Sequence, residues 1–253
     1  MRLTNKVVIV TGAGSGFGEG IAKRLAEEGA KVMVNDIHAT GAERVAAAIR
    51  KSGGTAQFFR ADVSVSSDWA AMVRATLDAF GRVDVVVNNA GWTHRNKPLL
   101  EVSEEEFEKV YAINVRSIFL SAKHVVPVFR KLGGGCFVNI ASTAGVRPRP
   151  GLTVYNSSKG AVITMSRSMA GELGPDQIRV NAVNPVFSPG TGLSAEFAGG
   201  KLTPETEAKF VSTIPLGRPS TPADVANAVL YLASDEAAFI TGVCLEVDGG
   251  RCV

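Results

Sequence analysis

Apolar residues in this chain alternate between two patterns along its whole length, short continuous runs and longer segments with helical spacing. Val7–Val10 is a continuous run, whereas residues 19–28 place Ile21, Ala22 and Leu25 on one face of a helix. Continuous apolar runs are typical of parallel strands that are covered on both faces. The patterns predict strands around 7–10, 31–36, 56–60, 83–87, 136–140, 178–183 and 243–247, and helices around 19–28, 40–51, 67–80, 103–131, 154–173 and 222–233.

Strands and helices that alternate in this way predict an α/β fold with a doubly wound parallel sheet of about seven strands and helices on both faces. The chain has no internal repeat, low-complexity tract or clear linker, so residues 1–253 are expected to form a single domain. The alternation breaks from Pro185 to about Pro222, where Gly, Pro, Ser and Thr are frequent and only a short helical piece near 204–213 is indicated. Because long irregular segments inside compact domains are usually functional, we expect a substrate lid around 188–215; a surface excursion without a role is the alternative.

Composition and charge argue against several classes of protein. The net charge of +3 is too small to indicate a nucleic acid or an anionic membrane as partner, and no apolar run approaches the length of a membrane span. The first residues resemble neither a signal peptide nor a transit peptide. The three cysteines, Cys136, Cys244 and Cys252, lack metal-ligand spacing. We therefore expect a cytoplasmic protein without a metal, in which Cys136 and Cys244 are small core residues.

A glycine-rich segment connects the first predicted strand to the first helix. It places Thr11 and Gly12 at the end of the strand, and Gly16 and Gly18 at the start of the helix. Glycine lets the backbone approach a ligand closely, and the free N–H groups of a helix N-terminus attract phosphate. The segment indicates a binding site for a pyrophosphate, and an ordinary glycine-rich turn is the alternative.

Asp36 ends the second predicted strand and follows Gly16 by 20 residues. A carboxylate at this position accepts hydrogen bonds from both hydroxyls of an adenosine ribose, and it repels a 2′-phosphate. A solvated aspartate in a turn is the alternative interpretation. Together with the glycine-rich segment, Asp36 favours a nucleotide-binding function.

Candidate catalytic residues follow a strand in the middle of the chain, at the end where ligands bind in this class of fold. Ser142 comes after the strand predicted at 136–140, and Tyr155 and Lys159 lie four residues apart on one face of the next helix. A lysine ammonium favours a phenolate and so lowers the pKa of a tyrosine, and a serine hydroxyl can hydrogen-bond a substrate oxygen on which charge develops. The three groups together can move a proton to or from an alcohol while hydride moves to or from a nicotinamide. Tyr-x-x-x-Lys alone, however, is common on amphipathic helices.

The full set of motifs resembles that of the short-chain dehydrogenase/reductase family. The motifs stand in the family's order and cover nearly the whole chain. They are Thr11-Gly-x-x-x-Gly-x-Gly, Asp62-Val63, Asn88-Asn89-Ala90-Gly91, Asn114, Ser142, Tyr155-x-x-x-Lys159, Asn184-Pro185 and Val247-Asp248-Gly249-Gly250. The resemblance implies a single-domain Rossmann-type fold, an NAD(P)-dependent oxidoreductase that acts on CH–OH donors, and a homotetramer.

The resemblance also implies a role for each matching residue. Tyr155 would be the general acid/base, Lys159 would lower its pKa and hold the nicotinamide ribose, and Ser142 would orient the reacting oxygen. Asn114 would hold a water that links Lys159 to solvent, and it completes the catalytic set. The residues implied in cofactor binding are Gly12, Ser15, Gly16, Phe17, Gly18, Asp36, Ile37, Asp62, Val63, Asn89, Ala90, Gly91, Tyr155, Lys159, Val186, Ser188 and Thr191.

Two features of the motifs bear on the cofactor. Members of the family that use NADP often carry Arg or Lys in the glycine turn, whereas this chain has Ser15 and Phe17 there. With Asp36, this favours NAD over NADP. After the sixth strand the family often has Pro-Gly, whereas this chain has Val186 after Pro185. The motif therefore does not define the path of this loop or its contacts with the cofactor.

The substrate is defined less well by the sequence. Binding of an acyl carrier protein needs exposed basic residues near the cleft, because the carrier is acidic. In members of the similar family that reduce 3-oxoacyl groups on this carrier, such residues lie near the ends of the fourth and fifth long helices. Those places contain Lys131 but also Asp176, which favours a small alcohol, sugar or polyol over the acyl-carrier alternative. A non-catalytic nucleotide-binding regulator is a further alternative, disfavoured because the tyrosine and the lysine are both present. Other candidates near the cleft, as packing residues or as ligands of a substrate anion, are Trp92, His94, Arg95, Arg147 and Arg149.

Overall fold

The computed structural model describes residues 1–253 and contains one sheet of seven strands. The strands are β1 Val7–Val10, β2 Lys31–Asp36, β3 Thr55–Arg60, β4 Val85–Asn88, β5 Gly135–Ile140, β6 Ile178–Pro185 and β7 Cys244–Val247. Their order is β3-β2-β1-β4-β5-β6-β7, and all neighbouring strands are parallel.

Helices cover both faces of this sheet. They are α1 Gly16–Glu27, α2 Ala39–Lys51, α3 Ser66–Phe80, α4 Glu104–Tyr111, α5 Ser117–Leu132, α6 Thr153–Leu173, α7 Ser194–Phe197, α8 Pro204–Val211 and α9 Pro222–Ala233. Helices α1, α2 and α9 pack on one face, and α3, α5 and α6 pack on the other. Successive residues of a strand point to opposite faces, so Val8 and Val10 enter the first core layer and Ile9 the second. The continuous apolar runs of the strands therefore follow from burial on both faces of the sheet. The predicted fold class, an α/β fold with a doubly wound parallel sheet, is confirmed.

The order of strands reverses between β1 and β4. The chain winds from β1 outwards to β3 on one side, and from β4 outwards to β7 on the other. Because parallel strands end at the same edge, the segments that follow β1, β4 and β5 meet there, which is where open α/β sheets bind ligands. The fold thus brings the glycine-rich segment, Asn89 and Ser142 to one edge of the sheet.

The helix predicted over 103–131 is continuous from Glu104 to Leu132, but its α-helical repeat is interrupted. A π-helical turn at Ala112–Arg116 separates α4 from α5. Ser103 begins α4 with a capping box, in which its hydroxyl accepts from the Glu106 amide at 3.2 Å and the Glu106 carboxylate accepts from the Ser103 amide at 2.9 Å. π-Helical turns insert a residue into the helical repeat and occur frequently at functional sites. This one carries Asn114, which is buried.

The irregular segment between β6 and α9 contains two short helices, α7 and α8, of which the sequence indicates only the second. The segment packs against the domain. The rings of Phe187 and Phe210 stack with their centres 4.4 Å apart, and the Asn96 amide donates to the Glu196 carbonyl at 2.9 Å. These contacts hold the segment near the strand ends, the position that a substrate lid requires.

The cysteines differ in their burial. Cys136 is buried in β5, whereas Cys244 is only half-buried because β7 lies at the edge of the sheet. The prediction that both are core residues is correct for Cys136 and wrong for Cys244. None of the helices combines the length and the apolar character that crossing a membrane demands.

Close packing at the start of α1 generates a prediction about Gly18. A β-carbon on this residue would collide with the Gly12 carbonyl and lie 2.5 Å from the side-chain nitrogen of Asn89. We expect Gly18→Ala to lower the free energy of unfolding by about 1–3 kcal/mol, because backbone neighbours cannot move aside freely. Urea unfolding measures the change. Gly171→Ala on α6 is the matched control, since nothing lies within 4 Å of its added β-carbon; an equal loss in both variants would contradict the packing argument.

Candidate active site

The glycine-rich segment forms a tight turn between β1 and α1. Gly12 and Gly16 have φ angles of 60° and 56°, which residues with a side chain rarely adopt. A β-carbon on Gly12 would lie 2.8 Å from the Cα atom of Ala90, so glycine is required for the turn to approach the segment after β4. The residues at the N-terminus of α1 consequently line the crevice at the strand ends.

Hydrogen bonds fasten this turn to the end of β4. The Thr11 hydroxyl accepts from the amides of Asn89 at 3.0 Å and Ala90 at 3.1 Å. In return, the Asn89 side-chain amide donates to the carbonyls of Thr11 at 2.9 Å and Gly12 at 3.0 Å. Thr11 and Asn89 therefore fix the distance between the segment that follows β1 and the segment that follows β4.

Asp36 lies at the end of β2 on the wall of the same crevice. One of its carboxylate oxygens accepts from the Gly14 amide and the other from the His38 amide, both at 2.9 Å. These bonds orient the carboxylate and leave further lone pairs on both oxygens. Arg44 reaches this end as well and donates to the Gly14 carbonyl at 2.9 Å. Its charge is balanced by Glu19, whose pKa the hydrogen bond from Arg44 lowers to about 2.

The three candidate catalytic side chains lie beyond the end of β5 and along α6. Tyr155 and Lys159 are buried, Ser142 is half-buried, and all three line the crevice. The Lys159 ammonium donates to the Ile140 carbonyl at 2.8 Å and lies 5.8 Å from the centre of the Tyr155 ring. The Ser142 oxygen accepts from the Ala144 amide at 3.1 Å, which leaves the hydroxyl proton available for donation.

Burial sets the charge states of this group. It raises the pKa of Tyr155 to about 12, an effect that the neighbouring Ser142 hydroxyl opposes, and it lowers the pKa of Lys159 to about 8. Lost hydration disfavours the charged form of each side chain. In the protein alone, burial therefore outweighs the lowering of the Tyr155 pKa that we expect from Lys159. At neutral pH, Tyr155 is a phenol that can donate a proton, and Lys159 is mostly an ammonium.

Asn114 lies behind the wall of the crevice. Its side-chain amide donates to the Trp92 carbonyl and the Ser158 hydroxyl, both at 2.9 Å, and its side-chain oxygen accepts from the Trp92 amide at 2.8 Å. These bonds join the segment after β4 to α6. The Asn114 oxygen and the Lys159 ammonium both lie near Gly91. A β-carbon added to Gly91 would be 3.5 Å from the Asn114 oxygen and 3.6 Å from the Lys159 nitrogen.

Most of the residues predicted from the sequence line one crevice of about 610 Å³, a size typical of ligand sites. Gly18 and Asn114 do not line it, because Gly18 packs beneath the glycine turn and Asn114 is turned towards α6. The predicted residues that line the crevice are Gly12, Ser15, Gly16, Phe17, Asp36, Ile37, Asp62, Val63, Asn89, Ala90, Gly91, Ser142, Tyr155, Lys159, Val186, Ser188 and Thr191.

The crevice also contains residues that the sequence does not single out. Phe197 of α7 covers Tyr155, with the two ring centres 5.2 Å apart, and Phe187 lines the same end. Lys109 of α4 places its ammonium 4.3 Å above the Trp92 ring. No motif marks these positions, because their place in the crevice depends on the path of the irregular segment and on the π-helical turn.

The further cleft candidates divide into two groups. Trp92 and Arg149 line the crevice. His94, Arg95 and Arg147 do not: the His94 Nδ1 atom contacts the Arg95 carbonyl at 2.8 Å, and an Nη atom of Arg147 donates to the Arg251 carbonyl at 2.5 Å.

Comparisons with known proteins agree with this geometry. A family model described as "Enoyl-(Acyl carrier protein) reductase" matches residues 12–251. The 4-formylbenzenesulfonate dehydrogenase of Comamonas testosteroni is 49% identical over 251 residues, which are 99% of each chain. The cyclopentanol dehydrogenase of Comamonas sp. (strain NCIMB 9872) is 38% identical over 98% of each chain. The crystal structure of a 3-ketoacyl-(acyl-carrier-protein) reductase from Brucella melitensis, complexed with NADH, is 43% identical and has a TM-score of 0.92 over 99% of this chain and 100% of that one.

The fold, the site and these matches together define a class of enzyme, the oxidoreductases that act on CH–OH groups with a nicotinamide dinucleotide. The chain belongs to the short-chain dehydrogenase/reductase family, as its motifs indicate.

The buried lysine generates a prediction about the pH dependence of stability. The pKa of Lys159 is about 8 in the folded protein, against 10.5 as its ordinary value. Between these values the unfolded chain binds more protons, so stability rises with pH. We expect the free energy of unfolding to increase by about 2 kcal/mol more in the wild type than in Lys159→Met between pH 8 and pH 10. Urea unfolding at each pH measures it; parallel pH profiles would show that Lys159 is not desolvated.

Proposed function

We propose that this enzyme interconverts a secondary alcohol (a hydroxy compound, sugar or polyol) and a ketone, with NAD as the preferred cofactor and Tyr155 as general acid/base. The observation that carries the proposal is the placement of Tyr155, Ser142 and Lys159 in the same crevice as the glycine turn and Asp36. The bound cofactor would accept hydride from the alcohol carbon or supply it to the ketone.

The residues of the crevice fit a nicotinamide dinucleotide. Ser188 is buried, lines the crevice and has a hydroxyl oxygen without a hydrogen-bond partner in the protein, which suits a contact with an amide group of a ligand. The N-terminus of α1 offers free N–H groups to a pyrophosphate. The solved relative from Brucella melitensis is complexed with NADH, which supports the same assignment.

Each of the remaining predicted cofactor residues has a proposed place along this ligand. Asp62 and Val63 would contact the adenine, and Val186 and Thr191 would line the nicotinamide side together with Ser188. Lys159 would hold the nicotinamide ribose. The turn and the segment after β4 would shape the middle of the site through Gly12, Ser15, Gly16, Phe17, Asn89, Ala90 and Gly91, and Ile37 would lie beside Asp36.

Proton transfer is the part of the chemistry that this chain's own side chains supply. In the direction of reduction, the Tyr155 phenol donates its proton to the substrate oxygen, and the Ser142 hydroxyl hydrogen-bonds that oxygen as negative charge develops. The Lys159 ammonium, 5.8 Å from the Tyr155 ring centre, stabilises the phenolate that forms. Asn114, whose oxygen lies near Gly91 as the Lys159 ammonium does, would hold a water that links Lys159 to solvent.

A preference for NAD rests on the charge of Asp36. Its carboxylate retains free lone pairs for ribose hydroxyls and would repel the 2′-phosphate of NADP. The nearby Arg44 is paired with Glu19, which reduces its availability to a phosphate.

A second candidate function is reduction of 3-oxoacyl groups on acyl carrier protein, as in the name of the Brucella melitensis relative. An acidic carrier needs exposed, unbalanced cations. Near the end of α5, Arg130 is paired with Asp176 at 2.7 Å, so its positive charge is balanced. The names of the two curated relatives refer to small ring compounds, a benzenesulfonate and cyclopentanol, which supports a small-molecule substrate.

We also propose a homotetramer in the cytoplasm. Phe107 on α4 and Phe119 on α5 are large apolar residues exposed on the surface, which suits helices that pack against another subunit. All three cysteines are free thiols, as is usual in a reducing compartment.

The acid/base assignment predicts the effect of Tyr155→Phe. We expect this variant to lose more than about 99% of turnover, because general acid–base catalysis contributes roughly 10²–10⁴-fold. NADH binding, followed by nicotinamide fluorescence, should persist because the ring is retained. Turnover at a tenth of the wild-type rate would show that Tyr155 does not transfer the proton.

The ribose assignment predicts the effect of Asp36→Ala. We expect the ratio of NADH to NADPH affinity to fall by about 10- to 100-fold, since the variant loses charged hydrogen bonds to the ribose and the repulsion of the 2′-phosphate. Side-by-side fluorescence titrations of the two cofactors measure it. Asp78→Ala, on the exposed face of α3, serves as the control for loss of a carboxylate; an unchanged ratio in Asp36→Ala would contradict the assignment.

A further inference from the structure

The charged residues of the crevice are separated by sign. Its lining carboxylates are Asp36 and Asp62, and they lie close together, since the Ala61 amide donates to the Asp36 carbonyl at 3.3 Å. At the other end, which contains Tyr155, the charged lining residues are Lys109, Lys159 and Arg149. The half of the crevice that receives the substrate therefore has positive charge and no lining carboxylate.

Two contacts hold Arg149 in place at the crevice. The side-chain amide of Asn156, which follows Tyr155 in α6, donates to the Arg149 carbonyl at 2.7 Å. The guanidinium carbon lies 4.6 Å from the centre of the Phe210 ring, which stacks in turn on Phe187. Stacking on a ring face orients a guanidinium and leaves its N–H groups free for another partner.

No carboxylate of the protein occupies those N–H groups. Arg149 takes part in none of the ion pairs in the structure, each of which joins an arginine or lysine to an acid within 4.0 Å. Other arginines near part-buried groups are balanced in this way, for example Arg44 by Glu19 and Arg82 by Asp84.

Two further arginines add to the positive charge around Arg149. Arg147 donates to the backbone of Arg251, and the Arg251 side chain is itself buried, with two guanidinium nitrogens that have no hydrogen-bond partner. Burial, with smaller contributions from Arg251 and Arg147, lowers the pKa of Arg149 to about 10, so Arg149 remains a cation at neutral pH. Partly buried like charges without a counter-ion are unfavourable, and an anion that reached Arg149 would relieve that cost.

We propose that Arg149 determines substrate specificity and binds an anionic group, a sulfonate or a carboxylate, carried on a ring or another compact apolar body. The apolar body would contact Leu152, Phe187 and Phe197, which line the crevice around Tyr155. This inference rests on the proposed function, because it names the substrate class of the same site. A guanidinium suits both anions, since its N–H groups match two oxygens of either one.

A binding experiment tests the proposal without turnover. Benzenesulfonate, benzoate and the neutral benzenesulfonamide are titrated calorimetrically into the protein saturated with NADH. We expect the wild type to bind at least one anion about 10-fold or more tightly than the sulfonamide. Arg149→Gln should weaken anion binding by about 10- to 100-fold, the usual range for a hydrogen bond to a charged group, and change sulfonamide binding less than about twofold.

Arg74→Gln is the matched control, because Arg74 is an exposed residue of α3 that pairs with Asp78 outside the crevice. This variant should bind all three probes as the wild type does. Equal affinity of the wild type for the anions and the sulfonamide, no binding of either anion, or an equal loss for all probes in Arg149→Gln would overturn the proposal. The comparison of benzenesulfonate with benzoate identifies which anion the site prefers.

A measurement of turnover distinguishes a failure of this inference from a failure of the proposed function. The wild type, Arg149→Gln and Tyr155→Phe are assayed with NAD on 1-phenylethanol and on 4-(1-hydroxyethyl)benzoate. We expect Arg149→Gln to lose about 10- to 100-fold in kcat/KM for the carboxylate alone, whereas Tyr155→Phe loses both substrates. Equal kcat/KM for the two alcohols in the wild type would overturn the role of Arg149 and leave the proposed function standing. If the wild type oxidises neither alcohol, the proposed function is contradicted, and the binding experiment still decides the role of Arg149.

Discussion

The close approach of two chain segments, the turn after β1 and the end of β4, is the constraint on which the rest of the site depends. Gly12 lies against Ala90 so closely that a β-carbon would be 2.8 Å from its Cα atom, and Thr11 and Asn89 exchange hydrogen bonds across the gap. β1 and β4 are the strands where the winding of the sheet reverses. Their contact therefore sets the position of the residues that we assign to the dinucleotide relative to those that we assign to catalysis.

Buried polar groups maintain the catalytic half, and each carries an energetic cost unless it is paired. Asn88 donates to Asn139 at 2.8 Å, and Asn139 donates to Ser166 at 2.9 Å, which links β4, β5 and α6 through the interior. Lys159 is held by the Ile140 carbonyl at the end of this layer. Burial destabilises the charged forms of Lys159 and Tyr155, and the same burial makes each electrostatic contact in the site stronger than in water.

The irregular segment after β6 packs aromatic rings against the crevice. Phe197 lies over Tyr155, and the stacked pair of Phe187 and Phe210 supports Arg149. One segment thus contacts both Tyr155, to which we assign proton transfer, and Arg149, to which we assign the substrate anion.

The sequence by itself determined the parallel sheet and the glycine turn, because periodicity and residue spacing express local geometry. The resemblance of its motifs to a known family singled out Asp36 and the set of Ser142, Tyr155 and Lys159, and the strand ends bring these residues to one edge. The sequence did not reveal the π-helical turn that carries Asn114, nor that Gly18 packs beneath the turn instead of lining the crevice. Only the tertiary structure distinguished Arg149, which lines the crevice, from Arg147, two residues earlier in the same loop. These features depend on contacts between residues far apart in the chain and on desolvation, and neither is encoded in a local pattern.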